Sequence, residues 1–371
     1  QIGGHNAADG NVISGNADNG VRLASCPACS GHVIVGNKIG TNAAGTAAVP
    51  NLINGISIDL SPNNTIRGNL ISGNSGSPAP GLNGAAIAIS SLLVSQDPQA
   101  ELRYGNHVIV GNKIGTDVNG TAGIPNRFGI VLSGETKARI GGTNAADRNI
   151  IAYHTEYGIV IGWADSNNNT VQGNYIGVNA NLQAAPSPGP GIYVINHSTN
   201  NVIGGAVPGA GNVIRGDNNN GMRLSDGQLD NNTIQGNFVG TDPTGTLSFA
   251  NVGGIHVQNA NNLVKDNRVA NNTGFGVMVS NGTGNRLQQN SIHNNTGIGI
   301  DLLPAGVTAN DAGDADIGAN NLQNYPIVTG AFVNGGSTFI TGTLNSAPNA
   351  AYTIELFSSS AGDASGYGEG Q

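Results

Sequence analysis

The side chains able to do chemistry are few and thinly spread: 14 Lys and Arg, 22 Asp and Glu and 7 His in 371 residues. The densest group is His154, Glu156 and Asp165, with Tyr157 and Trp163 nearby and Arg139 and Arg148 somewhat earlier in the chain. A His, two carboxylates and a Trp are the makings of acid–base chemistry on a sugar that stacks on the ring. A second group, Asp217, Asp226 and Asp230 with Arg215 and Arg223, would set carboxylates on stacked layers at the separation a glycosidase uses. An ordinary row of surface polar residues accounts for the same letters in both groups, so no catalytic residue is assigned.

Near residue 300 the composition shifts, and Asp301, Asp311, Asp314 and Asp316 occur among Gly and Asn. Carboxylate oxygens at such spacing suit Ca²⁺, which takes them at about 2.3–2.6 Å. These four are the candidate metal residues and Ca²⁺ the one candidate cofactor. The Glu that ends an EF-hand loop is missing, and turn capping by the same side chains is the competing reading. Cys26 and Cys29 form the single CxxC. Zinc would need a second ligand pair, which leaves a local loop disulfide, implying an oxidising compartment, ahead of two free thiols.

The elements that must position these groups repeat. A small residue followed by two aliphatics around a variable residue recurs as GVRL at 20, GISI at 55, AIAI at 86, GIVL at 129, GIVI at 158, GIYV at 191, GMRL at 221, GIHV at 254, GVMV at 276 and GIGI at 297. A second phrase alternates with it, as in NTIRGN at 64, NTVQGN at 169 and NTIQGN at 232, with HVIVGN at both 32 and 107. Alternation of this kind is strand patterning, and helical periodicity is absent. From Gly254 to Gly276 is 22 residues, the size of one coil of a parallel β-helix, in which each strand pairs with its counterpart one turn away.

Two insertions explain longer intervals. One is IGGHNAADGN at 2, IGGTNAADRN at 140 and IGGAVPGAGN at 203; the other is IGTNAAGTAAVPN at 39, IGTDVNGTAGIPN at 114 and VGTDPTGTLSFAN at 239. From Gly129 to Gly191 is 62 residues and from Gly191 to Gly254 is 63, so two coils make a higher-order repeat and the loops should project in rows. Gly and Asn suit corners that need φ > 0, and stacked Asn can form ladders along the axis. The expected core takes Ile56 and Ile58, Ile130 and Leu132, Ile159 and Ile161, Ile192 and Val194, Ile255 and Val257 from the first phrase, and Ile66, Val171, Ile234, Val264 and Leu287 from the second.

A formal charge of −8 offers no basic stripe for phosphate, which excludes nucleic acid as a partner. No apolar stretch is long enough to span a membrane as a helix. The chain opens inside an insertion motif and carries no leader, so it is expected to be a portion of a longer, exported protein. After Pro326 the stretches STFITGTL and AAYTIELF, with a turn at NSAPN, read as antiparallel strands. They would cap the solenoid or open a further domain, because two or three strands cannot stand alone. The expected division is 1–324 for the β-helix and 325–371 for the strand-rich segment.

Taken together, the NxIxGN and GIxI phrases, the IGT loops ending in GTxxxPN and the tail GIDLLPAGVTANDAGDADIGANNLQNYPIVTGA resemble the right-handed parallel β-helix repeat proteins of bacterial surfaces, in the pectate-lyase-like superfold. GTLNSAPNAAYTIELFSS resembles the start of a β-sandwich module that follows such helices. The resemblance covers essentially the whole chain and implies an all-β, right-handed solenoid of ten or more coils. It implies no single activity, because this superfold hosts lyases, hydrolases, epimerases, tailspikes and adhesins. The NTD, DD, GHG and RIK strings of polygalacturonase-like hydrolases do not occur, and YGIVIGWAD at 157 lacks the DPH of alginate-epimerase-like proteins. The expected role is a noncatalytic extracellular or cell-surface rod, structural or adhesive, whose partner is a second copy end to end or a surface polysaccharide. A lyase or hydrolase on acidic polysaccharide and a glycan-binding module are the alternatives.

Overall fold

The computed structural model describes residues 1–24, 30–74, 83–90, 105–163, 165–227, 229–359, 367 and 369–370. Three sheets of ten parallel strands run the length of the coil. Successive strands fall in sheets A, B and C in turn, so each of ten coils gives one strand to each sheet. The chain is a parallel β-helix. Among the described residues the helical turns are short 3₁₀ segments only, at Ala7–Asp9, Ala145–Asp147 and Ala319–Leu322.

Alternation along each strand sets the register. In sheet C, Ile56 pairs with Ile87, Ile87 with Ile130, Ile130 with Ile159, and Ile159 with Ile192, all pointing inward. Sheet A stacks Ile66, Ile109, Ile140, Val171, Ile203, Ile234 and Val264 in the same way. The expected core residues are fully buried in all but one case. Each contributes roughly 1.5–3 kcal/mol by leaving water. The exception is Leu287, half-buried because its coil is the last and has no coil above it. Register also corrects the last repeat phrase. Ile300 and Asp301 pair with Val277 and Met278, so coil 10 is read GIDL from Gly299 and not GIGI from Gly297.

The corners carry asparagine ladders. At the A–B corner Asn11, Asn37, Asn69, Asn112, Asn149, Asn174, Asn212, Asn237, Asn267 and Asn290 stand one per coil, each giving its backbone N–H and its Nδ2 to the Oδ1 of the next. Nδ2 of Asn212 also bonds the Val171 carbonyl of the coil before, which ties three coils together. In seven of the ten coils the residue ahead of the ladder Asn turns left-handed; Gly10, Arg148 and Gly211, which close the IGG-type insertions, do not. Gly173 is left-handed at φ +66°, where a Cβ would lie 2.1 Å from the Gly142 carbonyl oxygen, so glycine is required twice over. A second ladder runs at the C–A corner through Asn169, Asn201, Asn232, Asn262 and Asn285. A third occupies the B–C corner in two stretches, Asn16–Asn51–Asn74–Asn126 and Asn251–Asn272–Asn295.

The insertions form an outer tier, in rows as expected. In each IGT-type loop an Asp or Asn closes its own turn: Asp117 Oδ1 accepts the Thr121 and Ala122 N–H groups, and Asp242 Oδ1 those of Thr246 and Leu247. Loops two coils apart touch through Val118 N–H to Gly45 O and Ala180 N–H to Gly120 O, both 2.9 Å. The outward lysines of sheet B serve this tier, with Lys38 and Lys113 each donating to a loop carbonyl five residues on.

Coil strands end at Leu302. Beyond them Ile327–Asn334 and Ser337–Thr343 form an antiparallel pair with a turn at Gly335 and Gly336. Here the sequence reading is corrected. STFITGTL is a strand, but its partner is IVTGAFVN before it, and AAYTIELF is not in a strand. The two adjoining glycines, both at positive φ, make a tighter hairpin than NSAPN can.

Candidate functional site

The outer face of sheet C collects the most chemistry. Its central column is the variable residue of each GIxI phrase: Arg22, Ser57, Ala88, Val131, Val160, Tyr193, Arg223, His256, Met278 and Asp301, in register from coil 1 to coil 10. Coils 3 to 5 are apolar, and coils 6 to 8 are polar. Over the apolar part Phe128 stacks on Tyr157 with ring centroids 5.9 Å apart, and Tyr157 meets Tyr193 at 5.4 Å. Trp163 presents its edge to Phe128 and is itself 37% exposed. Arg127 lies over Phe128 and pairs with Glu156 at 2.6 Å.

The polar part is a closed network. Tyr193 Oη donates to the Asp226 carboxylate, Ser225 Oγ donates to it at 3.1 Å, and Arg223 Nε donates to Ser225 Oγ at 2.8 Å. His256 Nε2 and Ser280 Oγ are 2.7 Å apart. The Tyr193 hydrogen bond holds the Asp226 carboxyl below its usual range, and burial with the Asp226 bond pushes the Tyr193 phenol up. Burial, helped by Arg223, lowers His256 to about 4. At neutral pH this face therefore carries one carboxylate, one guanidinium, a neutral imidazole and a neutral phenol.

The residues singled out in the sequence do not assemble as one site. His154 is fully buried at the B–C corner, and its ring nitrogens have no hydrogen-bond partner. Glu156 and Tyr157 sit on the aromatic end of sheet C, whereas Asp165 faces His197 at 3.9 Å. Arg139 pairs with Asp147, and Arg148 lies over Tyr175 at 4.2 Å. The second group splits into separate pairs: Arg223 lies with Asp226 and Arg215 holds Asp217, while Asp230 accepts the Ala260 N–H. Cys26 and Cys29 lie outside the described residues. Sequence reading missed the Phe128–Tyr157–Tyr193 row, although listing the variable residue of successive GIxI phrases gives the central column directly.

Of the four candidate metal residues, Asp311, Asp314 and Asp316 bring carboxylate oxygens within 4.8 Å of one another. Asp301 stands apart at the end of sheet C, accepting the Gly306 N–H at 3.4 Å. Turn bonds occupy part of the trio: Asp311 accepts Ala315 N–H, and Asp314 accepts Asn324 N–H and the Ser346 hydroxyl. Asp311 Oδ1 and Asp316 Oδ1 are buried atoms with no partner, and loss of water with the neighbouring Asp311 and Asp314 charges raises the Asp316 carboxyl. The donor type fits Ca²⁺, and three carboxylates fall short of its six to eight ligands.

No family model matches the chain, and no curated protein matches it. Among solved structures, it is similar to a mutant of the periplasmic alginate epimerase AlgG at 16% identity, over 78% of this chain and 60% of that one, with a TM-score of 0.47. It is also similar to an alginate lyase from Paenibacillus sp. at 14% identity, over 75% of this chain and 98% of the lyase, TM-score 0.34. PfbA, a surface adhesin of Streptococcus pneumoniae, aligns at 13% identity over 92% and 91%, TM-score 0.30. The likeness is one of fold alone. The chain spans 60% of the epimerase's length.

Proposed function

We propose that this chain is a noncatalytic extracellular rod, structural or adhesive, that holds a surface glycan along the outer face of sheet C. The observation that carries the reading is the closed Tyr193–Asp226–Ser225–Arg223 network beside a row of aromatic rings. Rings offer stacking surface for pyranose faces, and the paired polar groups offer hydrogen bonds fixed in direction. From coil 4 to coil 8 each coil brings one ring or polar group (Phe128, Tyr157, Tyr193, Arg223 and His256), about 4.8 Å from the next, which suits a polymer lying along the axis. The same groups are poorly set for catalysis. A retaining or inverting hydrolase needs two carboxylates, one of them raised in pKa, and Asp226 is single and depressed. A lyase base of the phenol type needs a lowered pKa, and Tyr193 is raised.

End-to-end growth into a fibre is the less supported form of the rod. The edge of coil 10 is already answered by this chain's own tail: Asn320 accepts from Asn285, Glu355 from Gln289, Glu369 from Asn295 and Gly370 from Ile292. A second copy would have to displace these acceptors. We include Ca²⁺ at Asp311, Asp314 and Asp316 in the proposal, as a clamp on the segment that leads into the tail.

Incubation with a panel of neutral and acidic polysaccharides tests the reading. Retention of a glycan without release of unsaturated products or new reducing ends is the expected result, and it should weaken at least tenfold on Arg223→Ala. Product release that disappears on Tyr193→Phe or Asp226→Asn would establish the lyase or hydrolase alternative instead.

A further inference from the structure

Two of the three corner ladders are interrupted at neighbouring coils, and ionisable side chains stand in the gaps. Coil 4 comprises Val108–Val110, Lys113–Ile114 and Phe128–Ser133, and coil 5 comprises Arg139–Gly141, Ile150–Ile151 and Ile159–Ile161. In the C–A ladder the position of coil 4 is His107, whose Nδ1 accepts the Asn64 N–H at 3.3 Å, and that of coil 5 is Ala138. In the B–C ladder the position of coil 5 is His154, followed by Ser187 in coil 6. Both imidazoles are at most 2% exposed, and so is Glu135, whose Oε2 lies 3.7 Å from His107 Nε2. Neither oxygen of Glu135 and neither ring nitrogen of His154 has a hydrogen-bond partner.

We propose that coils 4 and 5 are an acid-operated joint: protonation of His107 and His154 opens the rod there, while the coils laddered by asparagine stay closed. An Asn in these positions cannot change its charge, whereas an imidazole can, and a buried cation is costly without a counter-ion, which His154 lacks altogether and which Glu135 supplies to His107 only while it is ionised. The group facing His107 is Glu135, together with the Asn64 backbone. Those facing His154 are uncharged: Asn126, Ser187 and the bare Gly115 and Gly129.

The signs can be worked out. Burial lowers His107 from 6.5 to about 4 and His154 from 6.5 to about 3. The unfolded chain therefore binds two protons before the folded one does. The stabilisation is complete above pH 6.5 and is lost as pH falls towards the folded values. Glu135 works the other way. Burial raises it well above 4.5, so its contribution is present below 4.5 and fades as pH rises. Between pH 6.5 and 4.5 the two histidines weaken the joint by up to about fiftyfold each, and Glu135 partly offsets them.

Hydrogen exchange on the full chain at pH 6.5, 5.5 and 4.5, corrected for intrinsic rates, tests this. Amides of coils 4 and 5 should lose more than about tenfold in protection across that range, and those of Val33–Asp59 in coil 2, a stretch without histidine, much less. The double variant His107→Asn, His154→Asn leaves Glu135 alone and should reverse the trend, so that acid increases protection. Glu135→Ser, which installs the residue found at this corner as Ser166 and Ser198, should steepen the loss to about a thousandfold. Equal loss along the whole rod, or a double variant that responds to acid as the native chain does, would overturn the proposal. If a variant does not fold, the contrast between coils 4–5 and coil 2 in the native chain decides the matter.

Discussion

Asn174 and Asn212 are joined twice: the backbone N–H and the Nδ2 of Asn174 both bond the Oδ1 of Asn212 at 3.0 Å. One oxygen thus serves two buried donors, and Asn212 passes the same pattern on to Asn237. Replacing Asn212 by Ala strands the Asn174 N–H, whereas its Nδ2 keeps the Ile140 and Gln172 carbonyls, and it removes the Nδ2 bonds of Asn212 to Val171 O and Asn237 Oδ1. Leaving a buried donor unanswered costs about 1–3 kcal/mol, so with the lost onward bonds Asn212→Ala should destabilise by about 2–4 kcal/mol. Asn290→Ala, at the last rung, strands the Asn267 N–H but breaks no onward rung, and should cost less. Urea unfolding monitored by circular dichroism would rank the two; equal effects would deny that the ladder acts as a chain.

Gly173 gives a sharper backbone test. At φ +66°, with the Gly142 carbonyl oxygen 2.1 Å from where a Cβ would stand, alanine is both strained and obstructed. Gly173→Ala should cost several kcal/mol, above the roughly 1–2 kcal/mol that an unobstructed alanine pays in the left-handed region. Gly68, at φ +62° with nothing within 4 Å, isolates the conformational part, and Gly68→Ala should stay near the lower figure. Thermal melts of the pair would separate obstruction from strain.

These ladders were legible in the chain because period 2 within strands and a fixed corner residue leave the same letters in every coil. The depth of a letter was not. HVIVGN occurs at 32 and 107, yet His32 is half-buried and His107 is sealed, because only His107 has Glu135 and a full coil on each side. His154 was taken with Glu156 and Tyr157 as one surface group on sequence nearness, but the B–C corner turns between them and points His154 inward. Likewise AAYTIELF has strand letters but no partner in the antiparallel pair, since Gly335–Gly336 fixes the hairpin earlier in the chain.

On the outer face of sheet C, where we propose that a glycan lies, pH tests the role of Asp226. Asp226 is held below the ordinary carboxylate range by the Tyr193 hydroxyl, so its bonds persist through mild acid and are lost only as pH falls through the depressed value. Glycan retention should therefore hold from pH 7 to about pH 5. Tyr193→Phe removes the bond that lowers Asp226, and retention should then begin to fail at higher pH than in the native chain. A pH series of binding isotherms on both proteins measures the displacement, and coincident curves would detach Asp226 from binding.

Calcium tests the acidic turn. If Asp311, Asp314 and Asp316 hold the ion, titration calorimetry should show one site, and millimolar Ca²⁺ should raise the melting temperature. Asp316→Asn should abolish both effects while leaving the turn intact, because the Ala315 and Asn324 bonds are made by Asp311 and Asp314. No heat on Ca²⁺ addition would leave these carboxylates as turn caps alone.

The far end of the rod supplies the last test. Within each run of a ladder an asparagine donates to an oxygen in the next coil, as Asn272 does to Asn295, so coil 10 ends with donors and no coil above. Glu369 takes that place for the B–C ladder: one oxygen accepts the Asn295 Nδ2 at 3.0 Å, and both lie 3.3 Å from its N–H. A carboxylate is the natural terminator, because it accepts and never needs to pass a proton on. Glu369→Gln keeps an oxygen for Asn295 and, with its amide turned to present it, should leave the last coil largely protected. Glu369→Ala strands the Asn295 N–H, whereas Nδ2 keeps the Val269 and His293 carbonyls, and should expose Ser291–His293 to exchange on the order of tenfold faster, with little change in coils 1 to 8. If Glu369→Ala leaves Ser291–His293 as protected as before, the tail does not close the ladder.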